Sequence, residues 1–414
     1  MGRNKMNMPF SIQPAARIAI ALVILVAATN TLADARSDFD RAYGAYQKHI
    51  DANETELATL AAKDALRFGS KAFGKNSVNT ANLAVNYARL LNDAGDHKKA
   101  RSTMKGKLKL LEKRFGDSDV NLVPAVMELG RAAKEPGPGL AHFERVALIS
   151  RNYENSLLEA QKNFDIVRLL LAGGASPARV QPYVDRAYEI YSERLQPNDF
   201  RLGLMSYHKA RRATSLQDHD AAVGYLQGSL VAFAGPEGEP LSDLERNMRE
   251  MLVRTYEIQG RRSEATDHCL VLGKDAVWSA TPRPIHRSEP VLPEDAFDKR
   301  LEGNVTLSFT IDEQGFVVNP TITESTQVAF NQATLDMIDG FRYAPRFVDG
   351  EPVATKGVEY TARYSFETEQ SKADFKRPGQ RGFISPDLTD QSNCGTDEGR
   401  YGLECQNFGV GGGK

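Results

Sequence analysis

The sequence has few of the residues from which redox and catalytic sites are built. Three cysteines (Cys269, Cys394, Cys405) and a single tryptophan, Trp278, serve 414 residues. None of the seven histidines takes part in a metal-ligating spacing such as H-E-x-x-H, and no G-x-S-x-G nucleophile turn occurs. Asp267-His268-Cys269 are consecutive. On a helix they point about 100° apart and do not chelate together. Asp218-His219-Asp220 reads as solvated loop chemistry. The terminal GVGGGK lacks the preceding strand and following helix that a phosphate loop requires. No catalytic residue, metal or cofactor is therefore assigned, and the chain is not expected to be an enzyme. Charge of one sign is also missing. With 52 basic and 54 acidic residues, net −2, there is no basic stripe for nucleic acid.

Long hydrophobic runs are scarce too. The main one, IAIALVILVAA from Ile18 to Ala28, follows Arg3, Lys5 and Arg17. Its helical length is about 16 Å, half of a ~30 Å hydrocarbon core. Ala33 and Ala35 then provide the small-x-small spacing of a signal-peptidase site. The expectation is a signal peptide over 1–35, cleaved after Ala35, and a periplasmic protein. Removing these residues takes away three basic side chains and Asp34, shifting the net charge from −2 to −4. The alternative is an uncleaved inner-membrane anchor. In an exported chain Cys394 and Cys405 are able to pair as a disulfide, while Cys269 reads as a buried small hydrophobe.

What is present is a repeat. AFGKNSVNTANLAVNYARL from Ala72 overlays RFGDSDVNLVPAVMELGRA from Arg114, with Phe73/Phe115, Gly74/Gly116, Val78/Val120, Asn79/Asn121 and Arg89/Arg131 all 42 apart. Loops closing on Ala100, Ala141, Ala222 and Ala265 repeat the interval, and the small residue marks a close helix–helix approach. Such a period, with two helices per unit, implies an α-solenoid of about five helical hairpins over 36–275. Asn82, Asn86 and Arg89 form a polar stripe on one helix, either a groove for a peptide backbone or a solvated face.

After Lys274 the texture changes. Pro282, Pro284, Pro290 and Pro293 make 276–290 an extended linker. In GNVTLSFTI, Val305, Leu307, Phe309 and Ile311 alternate with polar residues as in a strand with one wet face. Asp312–Gly315 is the turn, and Phe316, Val318 and Ile322 are expected to resume the alternation. Ser325 or Thr326 is expected to cap a helix whose Phe330, Ala333, Met337 and Phe341 form an apolar stripe. A last strand alternates Val358, Tyr360, Ala362 and Tyr364 with Glu359, Thr361 and Arg363. The result is a small α+β layer, a three-stranded antiparallel sheet with helices, over 284–368. The glycine-rich tail, 369–414, reads as disordered.

The helical half resembles tetratricopeptide (TPR) repeats. In the C-terminal module, EPVLP, RLEGNVTLSFTIDEQGFVVNPTI and FNQATLDMIDGFRYAP occur in the order of the TonB C-terminal domain family, which that module resembles from Pro284 to Glu367. Leu292 and Phe341 stand where the family has tyrosine and tryptophan. The resemblance implies a periplasmic domain that adds an extended segment of an outer-membrane receptor to its last strand, at Val358, Glu359, Tyr360, Thr361, Ala362, Arg363 and Tyr364. The expected protein is thus a two-domain adaptor that binds proteins or peptides, with membrane contact only if the N-terminal segment persists. A homodimer through the sheet edge is a further option. The alternative function is a TonB-type energy transducer with an N-terminal anchor.

Overall fold

The computed structural model describes residues 30–133, 136–152, 156–236, 238–275, 282–293, 296 and 299–364. Thirteen helices come first: α1 (Asn30–Asp51), α2 (Thr55–Phe73), α3 (Val78–Asp93), α4 (His97–Met104), α5 (Lys107–Phe115), α6 (Val123–Arg131), α7 (Pro136–Arg151), α8 (Ser156–Ala172), α9 (Pro177–Arg194), α10 (Phe200–Ser215), α11 (His219–Phe233), α12 (Asp243–Ile258) and α13 (Arg262–Asp275). The sheet module follows: β1 (Gly303–Ile311), β2 (Val317–Ser325), α14 (Asn331–Asp339), β3 (Arg346–Val348), β4 (Glu351–Val353) and β5 (Thr355–Tyr364). The chain divides into two compact units, one ending at His142 and one beginning at Phe143.

In the first unit the 42-residue period has a visible cause. Gly74 (φ 85°) ends α2 and Gly116 (φ 89°) ends α5, each in a backbone conformation that side chains resist. The next segment is then capped in the same phase, by Ser77 accepting from Thr80 N and by Asp119 accepting from Asn121 N. α2 and α3 pack so closely at Gly69 that a Cβ there would sit 2.3 Å from Leu83 Cδ1. Ala100, Ala222 and Ala265 are fully buried, as the repeat marker requires. Ala141 is exposed instead. At that turn Gly139 makes the close approach, facing the Gly130 carbonyl, so the marker sits two residues earlier than the spacing suggested.

In the second unit, helices pair sequentially up to α12–α13, whose core (Met248, Leu252, Tyr256, Ala265, Cys269, Leu272) also receives Ile285 and Ala344 from beyond the helices. The sheet order is β2-β1-β5, all antiparallel. Val305, Leu307, Phe309 and Ile311 are buried against Phe330, Met337, Ile338 and Phe341, as the period-two pattern and the apolar stripe require. Each such side chain contributes about 1.5–3 kcal/mol by burial.

Two local expectations are corrected. Val317, not Phe316 or Val318, faces the core, because β2 carries bulges and Asn319 adopts φ 52°, which shifts the phase before Ile322 packs inward. Phe316 turns away to lie beneath Arg342. Neither Ser325 nor Thr326 caps a helix. Thr326 Oγ1 accepts from Asn304 N and is occupied by the sheet, so Gln327 caps the short turn before α14.

The proline-rich segment is docked on both sides. Arg342 N donates to His286 O (3.0 Å), Ile285 N donates back to Arg342 O (2.7 Å), and Arg254 Nε on α12 donates to Ile285 O (2.8 Å). The module therefore sits directly on the last helical hairpin.

Candidate functional site: the outer edge of the sheet

Which backbone groups of β5 are available follows from the alternation along β1. Thr326 N donates to Asn304 O, Thr323 Oγ1 to Thr306 O and Thr321 Oγ1 to Ser308 O, so the even-numbered residues of β1 direct their backbone at β2. Val305, Leu307 and Phe309 then direct theirs at β5, opposite Ala362, Tyr360 and Val358. That leaves Glu359, Thr361 and Arg363 with N–H and C=O groups pointing away from the sheet. The hydroxyls of Thr306 and Thr361 lie 3.0 Å apart, the close side-chain approach of a pair whose backbone groups do not bond each other.

Among the described residues no strand pairs with that outer edge. The β3–β4 hairpin is directed elsewhere, with Phe347 against Gly273 of α13. A bulge at Gly357 (φ 71°) separates the hairpin from the straight run Val358–Tyr364. β2 also has an outer edge, but it carries Pro320, which lacks a donor, and its bulges break the ladder. Among the described residues only β5 presents a regular template.

The two faces of β5 differ. Val358, Ala362 and Tyr364 are buried; Glu359, Thr361 and Arg363 are exposed. Tyr364 stacks on Phe330 (centroids 4.2 Å) and its hydroxyl meets that of Thr334 at 2.8 Å. Tyr360 packs edge-on against Phe341, and burial pushes its phenol pKa upward, with nearby Arg287 acting in the opposite sense. The strand is thereby anchored to the core through Tyr360 and Tyr364.

The seven strand residues expected to bind a partner thus fall on β5. On α3, Asn82 is exposed, whereas Asn86 and Arg89 are half-buried. Arg89 lies near enough to Tyr46 of α1 and Glu128 of α6 to act electrostatically on both. Sequence reasoning missed the neighbouring buried cluster, in which Asn92 Nδ2 donates to Glu128 Oε2 (2.9 Å) and Arg131 bridges Glu128 and Asp93. Burial raises the Glu128 pKa against the pull of Arg131. The available signal was Glu128 three residues before Arg131 on one helix face. Asp267, His268 and Cys269 do point apart: His268 stacks on Tyr256, and Cys269 Sγ accepts from Arg342 Nη2 (3.6 Å). Among the described residues no cluster of three or more His, Cys, Asp or Glu is placed to hold a metal, and no helix is long and apolar enough to cross a membrane. The apolar run 18–28, Trp278, Cys394 and Cys405 lie outside the described residues.

Residues 288–366 match the family model described as the Gram-negative bacterial TonB protein C-terminal. The sheet module is a TonB C-terminal domain. No curated protein matches the chain. Among solved structures, the chain is similar to a Podosopora anserina kinesin-light-chain protein with nearly identical TPR-like repeats (13% identity, TM-score 0.40, covering 51% of this chain and 100% of that one). It is also similar to BtubC from P. vanneervenii (14%, 0.37, 64% and 97%) and to Pseudomonas aeruginosa pilF (11%, 0.37, 58% and 93%). Helical hairpins are thus followed by a TonB C-terminal domain over 288–366, and among the described residues its last strand has the regular outer edge. In this TonB domain Leu292 packs at the rim of the core and Phe341 is fully buried, so both departures from the family pattern keep the core apolar.

Proposed function

We propose that this protein is a periplasmic adaptor. Its TonB domain captures an extended segment of an outer-membrane receptor or another envelope protein by strand addition to β5, while the TPR-like helices recruit a second protein. The observation that carries this reading is the outward aim of the Glu359, Thr361 and Arg363 backbone groups along an edge with no strand partner among the described residues. About five added hydrogen bonds, each contributing about 0.5–1.5 kcal/mol, are nearly cancelled by the ordering of the guest, about 1–2 kcal/mol per residue. Affinity must then come from side chains, and Glu359 and Arg363 are the charged ones on the wet face. The reading assigns no catalytic step to the chain.

The test uses the full chain to capture solubilised outer-membrane receptors. Thr361→Pro removes an outward donor without touching the ladder to β1, and Thr361→Val keeps the donor while losing the hydroxyl. Strand addition requires that the proline variant lose capture and the valine variant retain it. Equal capture by both would sink the proposal.

A further inference from the structure

The near-neutral balance of the whole chain, from which no basic stripe was expected, conceals a local excess in the first unit. Residues 63–75, the second half of α2 and the turn after it, carry four Lys or Arg and one carboxylate, Asp64. Residues 97–115, which span α4 and α5, carry eight Lys or Arg and one carboxylate, Glu112. The two segments adjoin, because Lys107 Nζ donates to Lys75 O (2.9 Å) and so holds the start of α5 at the end of α2. Lys63, Lys98, Lys105, Lys109 and Lys113 are exposed, and none has an ion-pair partner among the described residues. Lys109 and Lys113 stand four residues apart on α5, a like-charge spacing that weakens an isolated helix. The exposed face of α2 also carries apolar side chains. Leu57, Leu60, Arg67 and Lys71 fall at i, i+3, i+10 and i+14 and so share one face. Leu57 is 47% and Leu60 62% exposed.

We propose that this face of the first unit, α2 with α4 and α5, binds the surface of a lipid bilayer that carries anionic phosphate head groups. Exposed leucines beside cations suit such a surface: the leucines enter the boundary between head groups and acyl chains, and the cations stay at the phosphates. Lysine predominates, and ammonium groups on flexible stems fit a diffuse array of charge better than a ligand of fixed geometry. A nucleic acid gives the leucines nothing to bury against, and no aromatic residue of the two segments is exposed for stacking on bases. The end of α2 lies beside the early part of α1, with Arg36 Cζ 5.0 Å from the centre of the Phe73 ring. Asn30, the first residue of α1, follows the apolar run 18–28 by two positions. The face therefore stands near the point where an anchored chain leaves the bilayer. In a cleaved chain it makes a bilayer contact that does not require residues 1–35. Strand addition at β5 plays no part in it.

Cosedimentation of the full chain with vesicles tests this, comparing phosphatidylcholine alone with phosphatidylcholine containing phosphatidylglycerol. Wild type binds the mixed vesicles more tightly, and added salt removes the difference. Lys105→Glu/Lys109→Glu/Lys113→Glu weakens binding to the mixed vesicles roughly tenfold or more. Arg179→Glu/Arg211→Glu/Arg212→Glu, the same charge change at exposed residues of α9 and α10, leaves it unchanged. Lys105→Gln/Lys109→Gln/Lys113→Gln gives a smaller loss in the same direction, with circular dichroism reporting the fold of each variant. Leu57→Ser/Leu60→Ser weakens binding and leaves its salt dependence intact. A wild type indifferent to phosphatidylglycerol, or equal binding by the two triple reversals, overturns the inference. Displacement from vesicles by polyglutamate, with no effect of the leucine substitutions, assigns the face to an acidic protein and also overturns it. Receptor capture is unaffected by these variants, so failure here leaves the proposed function standing.

Discussion

The guanidinium of Arg342 lies with its Cζ 3.6 Å from the ring centroid of Phe316 and is completely buried. From that position Nη2 donates to Thr266 Oγ1 on α13 (2.9 Å) and to Gln314 O in the hairpin turn (3.2 Å), and Nη1 stands 3.3 Å from Glu257 Oε1 on α12. One residue of the TonB domain thus joins the turn of its own sheet to both helices of the last hairpin. Its chain neighbours continue the connection inward: Phe341 packs on Tyr360 of β5, and Tyr343 on Phe309 of β1. Removing one member of a buried pair leaves the other charge uncompensated, at about 3–5 kcal/mol. Glu257→Ala is therefore expected to destabilise the second unit by about 3 kcal/mol in urea unfolding, because it leaves Arg342 a fully buried cation without its carboxylate, whereas Arg262, 3.4 Å from the same carboxylate, is part-exposed and loses less. Arg342→Lys should fail to rescue, since an ammonium neither stacks on Phe316 nor reaches three directions at once. A loss below 1 kcal/mol for both would mean that the junction contributes little.

The lateral reading of β5 is testable without any guest. Amides of Tyr360, Ala362 and Val358 face β1 and should exchange slowly with deuterium. Those of Glu359, Thr361 and Arg363 face outward and should exchange quickly in the monomer. The same alternation separates two proline variants: Thr361→Pro is expected to be nearly neutral in stability, whereas Ala362→Pro removes a ladder bond and costs about 3 kcal/mol or more. Matching losses for the two variants would refute the assignment of inward and outward residues.

Glycines in the TonB domain differ in what a side chain would meet. Gly315 (φ 88°) turns the β1–β2 hairpin, and a Cβ there would lie 2.1 Å from Tyr343 O, whose own backbone accepts no displacement because Tyr343 N donates to Gly315 O. Gly350 has nearly the same φ, 87°, with open space around it. Gly350→Ala should cost about 1–2 kcal/mol, the conformational penalty alone. Gly315→Ala adds a backbone collision and should lower the melting temperature by clearly more, in side-by-side thermal unfolding.

These positions also show how far the sequence could be read. Gly74, Gly116 and Gly315 were legible because a turn that needs positive φ leaves a glycine at a fixed place in a repeat or between two alternating runs. The core of the sheet was legible for the same local reason: Val305 to Ile311 alternate without interruption. The phase error at Phe316 arose where a bulge broke the alternation, and bulges leave no mark in periodicity. Arg342 entered the sequence reading only inside the segment FNQATLDMIDGFRYAP. Its partners Glu257, Thr266 and Cys269 lie more than seventy residues away, and nothing short-range announces a contact between a helical hairpin and a turn. The outward aim of Glu359, Thr361 and Arg363 depends on strand order, which the alternating pattern by itself leaves open.

Acid should loosen the second unit. Burial, together with Arg254, Arg262 and Arg342, holds the His286 pKa down at about 4; burial and Arg249 do the same for His268, and burial and Arg211 for His208. In the unfolded chain each titrates near 6.5. Between those values the unfolded state binds more protons, so stability is fully present above about pH 6.5 and is lost as the pH falls toward 4. Glu257 works against this trend, because burial raises its pKa and the folded state accepts its proton more readily than the unfolded chain does. His286→Gln retains the backbone pairing with Arg342 and removes one titrating site. Its unfolding free energy should therefore fall less steeply with acid, by up to about 1.4 kcal/mol per pH unit within the window. Identical slopes for wild type and variant in urea titrations at stepped pH would show that His286 is not held neutral by its burial and the three arginines around it.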